Sequence, residues 1–157
     1  MQLFEPEESK SLRMDHIPAI GAVMTPFPYV VQVDDSVLVA RALMIEHDVR
    51  HLPVKDGNTL LGVLTDRDLK RALDPGVGLP PKEELFVRDV FVAHAYVVDV
   101  GESLDGILNH LSSEHIGSAL VTKSGRLVGI FTLTDAARLF CNHLRSLFPS
   151  RSGNEVA

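Results

Sequence analysis

Gly62-Val63-Leu64-Thr65-Asp66-Arg67-Asp68 returns, 67 positions later, as Gly129-Ile130-Phe131-Thr132-Leu133-Thr134-Asp135. The same shift, without a gap, lays Tyr29-Val30-Val31-Gln32-Val33 on Tyr96-Val97-Val98-Asp99-Val100. It also lays Ser36 on Ser103, Val54 on Val121, Leu60 on Leu127 and Arg71 on Arg138. One offset held over so much of the chain means two copies of a single supersecondary unit, packed about a pseudo-twofold axis. Clefts related by such symmetry lie between the copies, and function is expected there.

Within each copy the elements follow from local chemistry. Ile20 to Met24 is a short apolar stretch, and Thr25-Pro26 ends any helix there because a residue before proline is pushed out of the helical region. Tyr29 to Val33 is rich in β-branched residues and predicts a strand. Ser36 is placed to cap a helix carrying Val37, Ala40, Leu43, Met44 and His47. In the second copy Leu104, Ile107, Leu108 and Leu111 follow Ser103 at the spacing of a buried helical face. Two further strands, His51 to Lys55 and Leu60 to Leu64, are joined by the hairpin turn Asp56-Gly57-Asn58. Their counterparts are Ser118 to Thr122 and Leu127 to Phe131, joined through Lys123-Ser124-Gly125. A last helix is expected over Asp66 to Leu73 and over Leu133 to Leu144. The fold class is α/β (α+β), two β-α-β-β-α repeats packed as a pseudo-twofold pair. Their bounds are 17–80 and 81–147, with an N-terminal extension over 1–16 and a tail over 148–157. Asp74 to Pro81, dense in Pro and Gly, connects the copies. Residues 1 to about 15 and Pro149 to Ala157 are expected to be poorly ordered.

Composition narrows the function classes. The chain has 157 residues, 45% of them hydrophobic and 23% charged, as in an ordinary globular domain. No apolar run reaches membrane-span length, and Met1 to Lys10, with Glu5, Glu7 and Glu8, lacks the apolar stretch of a signal peptide. The single cysteine, Cys141, has no partner for an internal disulfide, which fits a reducing, cytoplasmic setting. It sits in Leu139-Phe140-Cys141, where a buried, inert thiol is expected. A net charge of −6 argues against a nucleic-acid or anionic-membrane surface.

The repeated Gly-φ-φ-Thr-x-x-Asp motif runs an apolar strand straight into a helix. A helix start offers free N–H groups and partial positive charge, which suits a phosphate or a sugar edge. The threonine hydroxyl can donate or accept, and an ionised carboxylate can take both hydroxyls of a ribose. Thr-x-x-Asp is equally close to a capping box, in which the two side chains satisfy backbone donors and bind nothing. Both readings of Thr65, Asp68, Thr132 and Asp135 stay open on the motif alone.

Val23-Met24-Thr25-Pro26, Arg50-His51-Leu52-Pro53-Val54 and Gly62 to Leu69 together resemble a CBS domain. In the second copy His115 to Val121 and Gly129 to Asp135 do the same. Two in tandem resemble a Bateman module over about Ile17 to Leu144. The resemblance implies two clefts that bind adenosyl ligands: AMP, ADP, ATP or S-adenosylmethionine. It implies ribose held by Asp68 and Asp135, and Thr65 and Thr132 contacting ribose or phosphate. Adenine would lie against Met24, Thr25, Tyr29, Val49 and Pro53 in the first copy, and against Phe91, Val92, Tyr96, Ile116 and Leu120 in the second. The resemblance further implies a homodimer, often a flat disc of four repeats, and output to an effector protein or through self-association. Arg50 and His51 stand where phosphate-binding members carry basic residues, whereas the second copy has Gly117 and Ser118. Charge therefore predicts that at most one cleft binds a nucleotide tightly.

The other candidates have plainer explanations. The seven histidines lack Cys or carboxylate partners at ligand spacing, so no metal is expected, and no cofactor is obligatory. Ser36 and Ser103 serve as caps, Tyr29 and Tyr96 as half-buried strand residues, and Arg67 and Arg71 as a solvated helix face. With no activated nucleophile, acid–base pair or P-loop, the chain is expected not to be an enzyme. The two readings carried forward are a regulatory sensor and an interaction scaffold whose clefts are vestigial.

Overall fold

The computed structural model describes residues 15–148. The expected disorder of the chain ends therefore falls outside the described residues, save at their border. Seven strands and four α-helices run β1 (Thr25–Pro26), β2 (Val31–Gln32), α1 (Val37–Glu46), β3 (His51–Asp56), β4 (Thr59–Thr65), α2 (Asp66–Ala72), β5 (Val97–Asp99), α3 (Leu104–Ser113), β6 (Ser118–Lys123), β7 (Arg126–Thr132) and α4 (Leu133–Leu147). Short 3-10 turns over Ile20–Ala22 and Val87–Asp89 lead into the two copies.

The sheets show how the copies are joined. β3 and β4 form an antiparallel hairpin with β2 parallel to β3; β6 and β7 form the matching hairpin with β5 parallel to β6. Both hairpins shift register at the same place, between Val54 and Lys55 and between Val121 and Thr122. β1 pairs not with its own copy but with β7, setting Thr25 opposite Ile130 and Pro26 opposite Gly129. Reciprocally, Val92 bridges Val63 on β4. Each copy thus lends its leading segment to the other.

The exchange extends into the cores. Leu85 and Val87, from the start of the second copy, are buried with Val31, Val37, Leu52, Leu64 and Leu69 of the first. Ile20, from the start of the first, is buried with Val98, Ile107, Leu111, Ala119 and Phe131 of the second. Backbone bonds repeat the exchange: Ile20 N–H donates to Glu102 O at 2.8 Å, and Val87 N–H to Asp35 O at 2.8 Å. A third cluster, Val63, Leu120 and Ile130, joins the two sheets.

Local expectations are met with adjustments. Ser36 caps α1 by accepting from Leu38 N–H at 3.2 Å. Ser103 occupies the N-cap of α3, but its hydroxyl donates to Asp105 instead of accepting a backbone bond. Tyr29 and Tyr96 precede the strands predicted to contain them, and each stacks on a histidine, His47 and His110 respectively. Cys141 is exposed, not buried, because it lies on the open face of α4. Among the described residues no helix is long and apolar enough to cross a membrane.

Candidate functional site

Both Thr-x-x-Asp motifs close as capping boxes. Thr65 Oγ1 accepts from Asp68 N–H at 3.2 Å, while Asp68 Oδ2 accepts from Thr65 N–H at 3.0 Å and from the Thr65 hydroxyl at 2.6 Å. Thr132 and Asp135 repeat the arrangement at 3.3, 2.8 and 2.8 Å. One oxygen of each carboxylate is therefore committed to the helix start. The second oxygens differ. Asp135 Oδ1 accepts from Arg138 at 3.3 Å and from the Thr25 hydroxyl at 3.5 Å, and the residue is only 9% exposed. Asp68 Oδ1 accepts no hydrogen bond among the described residues.

The surrounding space is also unequal. Asp68 and Thr65 line a cavity of about 850 Å³ whose other walls include Arg50, His51, Val92, Tyr96, Ile116, Gly117, Ser118 and Thr132. That volume falls within the usual range for small-molecule sites. Asp135 borders a hollow of about 230 Å³ with Met24, Thr25, Pro26, Arg138 and Asn142, below that range.

The exchanged segments explain which residues meet. The first copy's Met24 and Thr25 stand beside Asp135, and the second copy's Val92 and Tyr96 stand beside Asp68. Grouping Met24 and Thr25 with the first copy's own Asp68 is thereby corrected: β1 pairs with β7, not with β4. Tyr29, Val49, Pro53, Phe91 and Leu120 line neither cavity. Pro53 and Leu120 are buried within strands, Val49 and Phe91 pack against the first core, and Tyr29 stacks on His47 at 3.7 Å.

Sequence reasoning missed the role of the motif glycines. A Cβ on Gly62 would lie 2.1 Å from Val92 O, and one on Gly129 would lie 2.2 Å from Met24 Sδ and 3.0 Å from Thr25 O. These glycines admit the leading segment of the opposite copy. The fixed offset signalled that both matter, but not that each contacts the other repeat. Arg67, expected on a solvated face, lines the large cavity.

His51 packs over Gly117, where a Cβ would sit 3.2 Å from its Nε2. Burial pushes its imidazole below the ordinary 6.5, the carboxylates of Asp68 and Asp135 oppose this, and Arg50 adds to it. Near neutrality His51 is an uncharged hydrogen-bonding group, and the fixed charge at this rim comes from arginine. Among the described residues no three His, Cys, Asp or Glu side chains stand together to hold a metal ion.

The CBS domain family model matches residues 20–75 and 87–142. L-aspartate semialdehyde sulfurtransferase of Methanocaldococcus jannaschii is 29% identical over 126 residues, 79% of this chain but 23% of that protein. The chain thus spans under a quarter of that relative's length. The structure of Hypoxic Response Protein I with two coordinated zinc ions is 30% identical with a TM-score of 0.65, covering 76% of this chain and 97% of that one. The structure of CBSX2 in complex with AMP is 28% identical with a TM-score of 0.70, covering 82% and 99%.

Proposed function

We propose that this chain, which belongs to the CBS-domain family, is a non-catalytic regulatory module that binds an adenosyl ligand in its large cleft. The ligand is AMP, ADP, ATP or S-adenosylmethionine. Asp68 Oδ1 and Thr65 take the ribose hydroxyls, and the base lies against Val92, Tyr96 and Ile116. Occupancy shifts the balance between arrangements of the two repeats, because a ligand favours whichever state it binds more tightly. The output passes to an effector protein or through a homodimer, in the cytoplasm.

One observation carries this reading. Asp68, half-buried, lines a cavity of about 850 Å³, and its Oδ1 accepts no hydrogen bond among the described residues, so this ionised carboxylate keeps an acceptor open to a ligand hydroxyl. The AMP complex of CBSX2, at 28% identity, supports the ligand class. The scaffold reading draws on the closed capping boxes, in which Asp68 and Asp135 already have a structural task. Thermal-shift measurements with AMP, ADP, ATP and S-adenosylmethionine separate the two. At least one ligand is expected to raise the melting temperature in proportion to the logarithm of its concentration once saturating. Folded protein that responds to none of them contradicts the sensor.

A further inference from the structure

The fixed offset sets α4 beside α2 residue by residue, and their outward faces differ. Leu133, Ala137 and Phe140 stand where the first copy has Asp66, Lys70 and Leu73. On α2 that face is polar, with Asp66 and Lys70 paired at 2.6 Å. On α4 it is apolar, and the helix runs on to Leu147, about two turns past the counterpart of the last residue of α2. Leu133, Ala137, Phe140, Leu144 and Leu147 follow one another at steps of four, three, four and three, the spacing of a coiled-coil seam. All five are exposed, Phe140 by 61%. No charged residue lies within the seam; Arg138 and Arg145 stand on one flank of it. With Cys141 and Phe148 beside it, the stripe leaves on the order of 500 Å² of apolar surface open, a size that marks an interaction surface. α1 also exposes Leu38, Val39 and Ile45, but over fewer turns and beside Arg41 and Glu46.

We propose that this seam is covered by α4 of a second copy, packed antiparallel about a two-fold axis at Phe140. The inference rests on the homodimer of the reading above and names its surface and direction. The seam is nearly palindromic about Phe140, so a second copy fits it as an isologous partner. Antiparallel pairing sets small Ala137 across from large Leu144, and Leu133 across from Leu147. Parallel pairing sets Ala137 on Ala137 and leaves a void. The antiparallel pair also runs the two helix dipoles in opposition. Two such stripes bury about 1,000 Å² in all, the lower end for a specific interface, so the pair is weak and concentration-dependent. The matching face of α2 stays outside the contact, since pairing there strips water from Asp66 and Lys70. The interface is thus a property of this chain's second copy, not of the fold the two copies share.

Sedimentation of the full chain across the micromolar range tests this, together with crosslinking through its single cysteine. Cys141, exposed and one residue from the axis, comes opposite Cys141 of the second copy. A short bismaleimide is therefore expected to link the natural chain into dimers and to leave Cys141→Ser unlinked. Phe140→Glu sets two carboxylates at the axis and is expected to remove the dimer over that range, with circular dichroism unchanged because the position is exposed. Ile45→Glu, on α1, is expected to leave the dissociation constant within about twofold. In a Cys141→Ser background, Thr134→Cys is expected not to link, because the antiparallel pair holds these positions about 18 Å apart along the helix. Linkage there shows a parallel pair and overturns the proposed direction. A dimer that survives Phe140→Glu overturns the α4 seam and leaves the homodimer standing on another surface. A chain that stays monomeric throughout overturns this inference together with the homodimer beneath it.

Discussion

Asp68 and Asp135 close their capping boxes with one oxygen each, yet their second oxygens meet different surroundings. Asp135 adds Arg138 and Thr25 in a nearly closed setting, so it acts as a joint between α4 and the borrowed β1. Asp135→Ala is expected to cost about 1–2 kcal/mol in urea unfolding, and Asp68→Ala about 1 kcal/mol, the loss of a cap alone. Equal losses would show that the Arg138 and Thr25 contacts contribute nothing. His51 gives a pH dependence with a definite sign. Its folded value lies below the ordinary 6.5, so between the two the unfolded chain binds more protons than the native one. Stability therefore falls as pH drops through about 6.5 and levels off once the folded imidazole is protonated. Unfolding curves at successive pH values should show a shallower acid loss in His51→Gln than in the natural chain; identical slopes would remove His51 from the account. The type of residue at each of these positions could be read from the sequence, but the free oxygen and the half-buried imidazole could not. Both depend on neighbours brought from the opposite repeat.

Strands and helices were legible where their cause is local. The hairpins β3–β4 and β6–β7, the Ser36 cap and the buried face of α3 follow from turn chemistry, capping and apolar spacing. The strand predicted from Tyr29 shortens to Val31–Gln32, because the parallel ladder to β3 pairs only Val31 with Val54 and Gln32 with Lys55. β1 was not legible at all: two residues ending in proline show no strand pattern, and pairing with β7 alone makes them one. The motif glycines lie at this scale too. Gly62→Ala and Gly129→Ala each press a Cβ into the borrowed segment, at 2.1 Å from Val92 O and 2.2 Å from Met24 Sδ. Gly62→Ala meets backbone and is expected to destabilise by about 1–3 kcal/mol. Gly129→Ala meets chiefly a flexible methionine tip and should cost less. Differential unfolding of the two variants checks the order, and a neutral Gly62→Ala would contradict the close approach.

The molecule as a whole is a pair whose repeats do not close on themselves. Leu85 and Val87 complete the first core from beyond its own last helix, and Ile20 completes the second from before its first strand. A chain ending at residue 80 removes Leu85 and Val87, and is expected to lack cooperative unfolding and native helical circular dichroism. Native-like unfolding of that fragment would contradict the exchange. The duplication and its offset were readable from 67-residue self-similarity. The exchange of leading segments was not, because an intertwined pair and a side-by-side pair share one repeat pattern. That exchange decides the site: it sets the second copy's Val92 and Tyr96 opposite the first copy's Asp68. The most direct test is a paired calorimetric titration of AMP into the natural chain, Asp68→Ala and Asp135→Ala. The expected result is one ligand per chain, lost in Asp68→Ala and kept in Asp135→Ala. Binding that survives in Asp68→Ala and vanishes in Asp135→Ala would place the ligand in the other hollow and contradict the account.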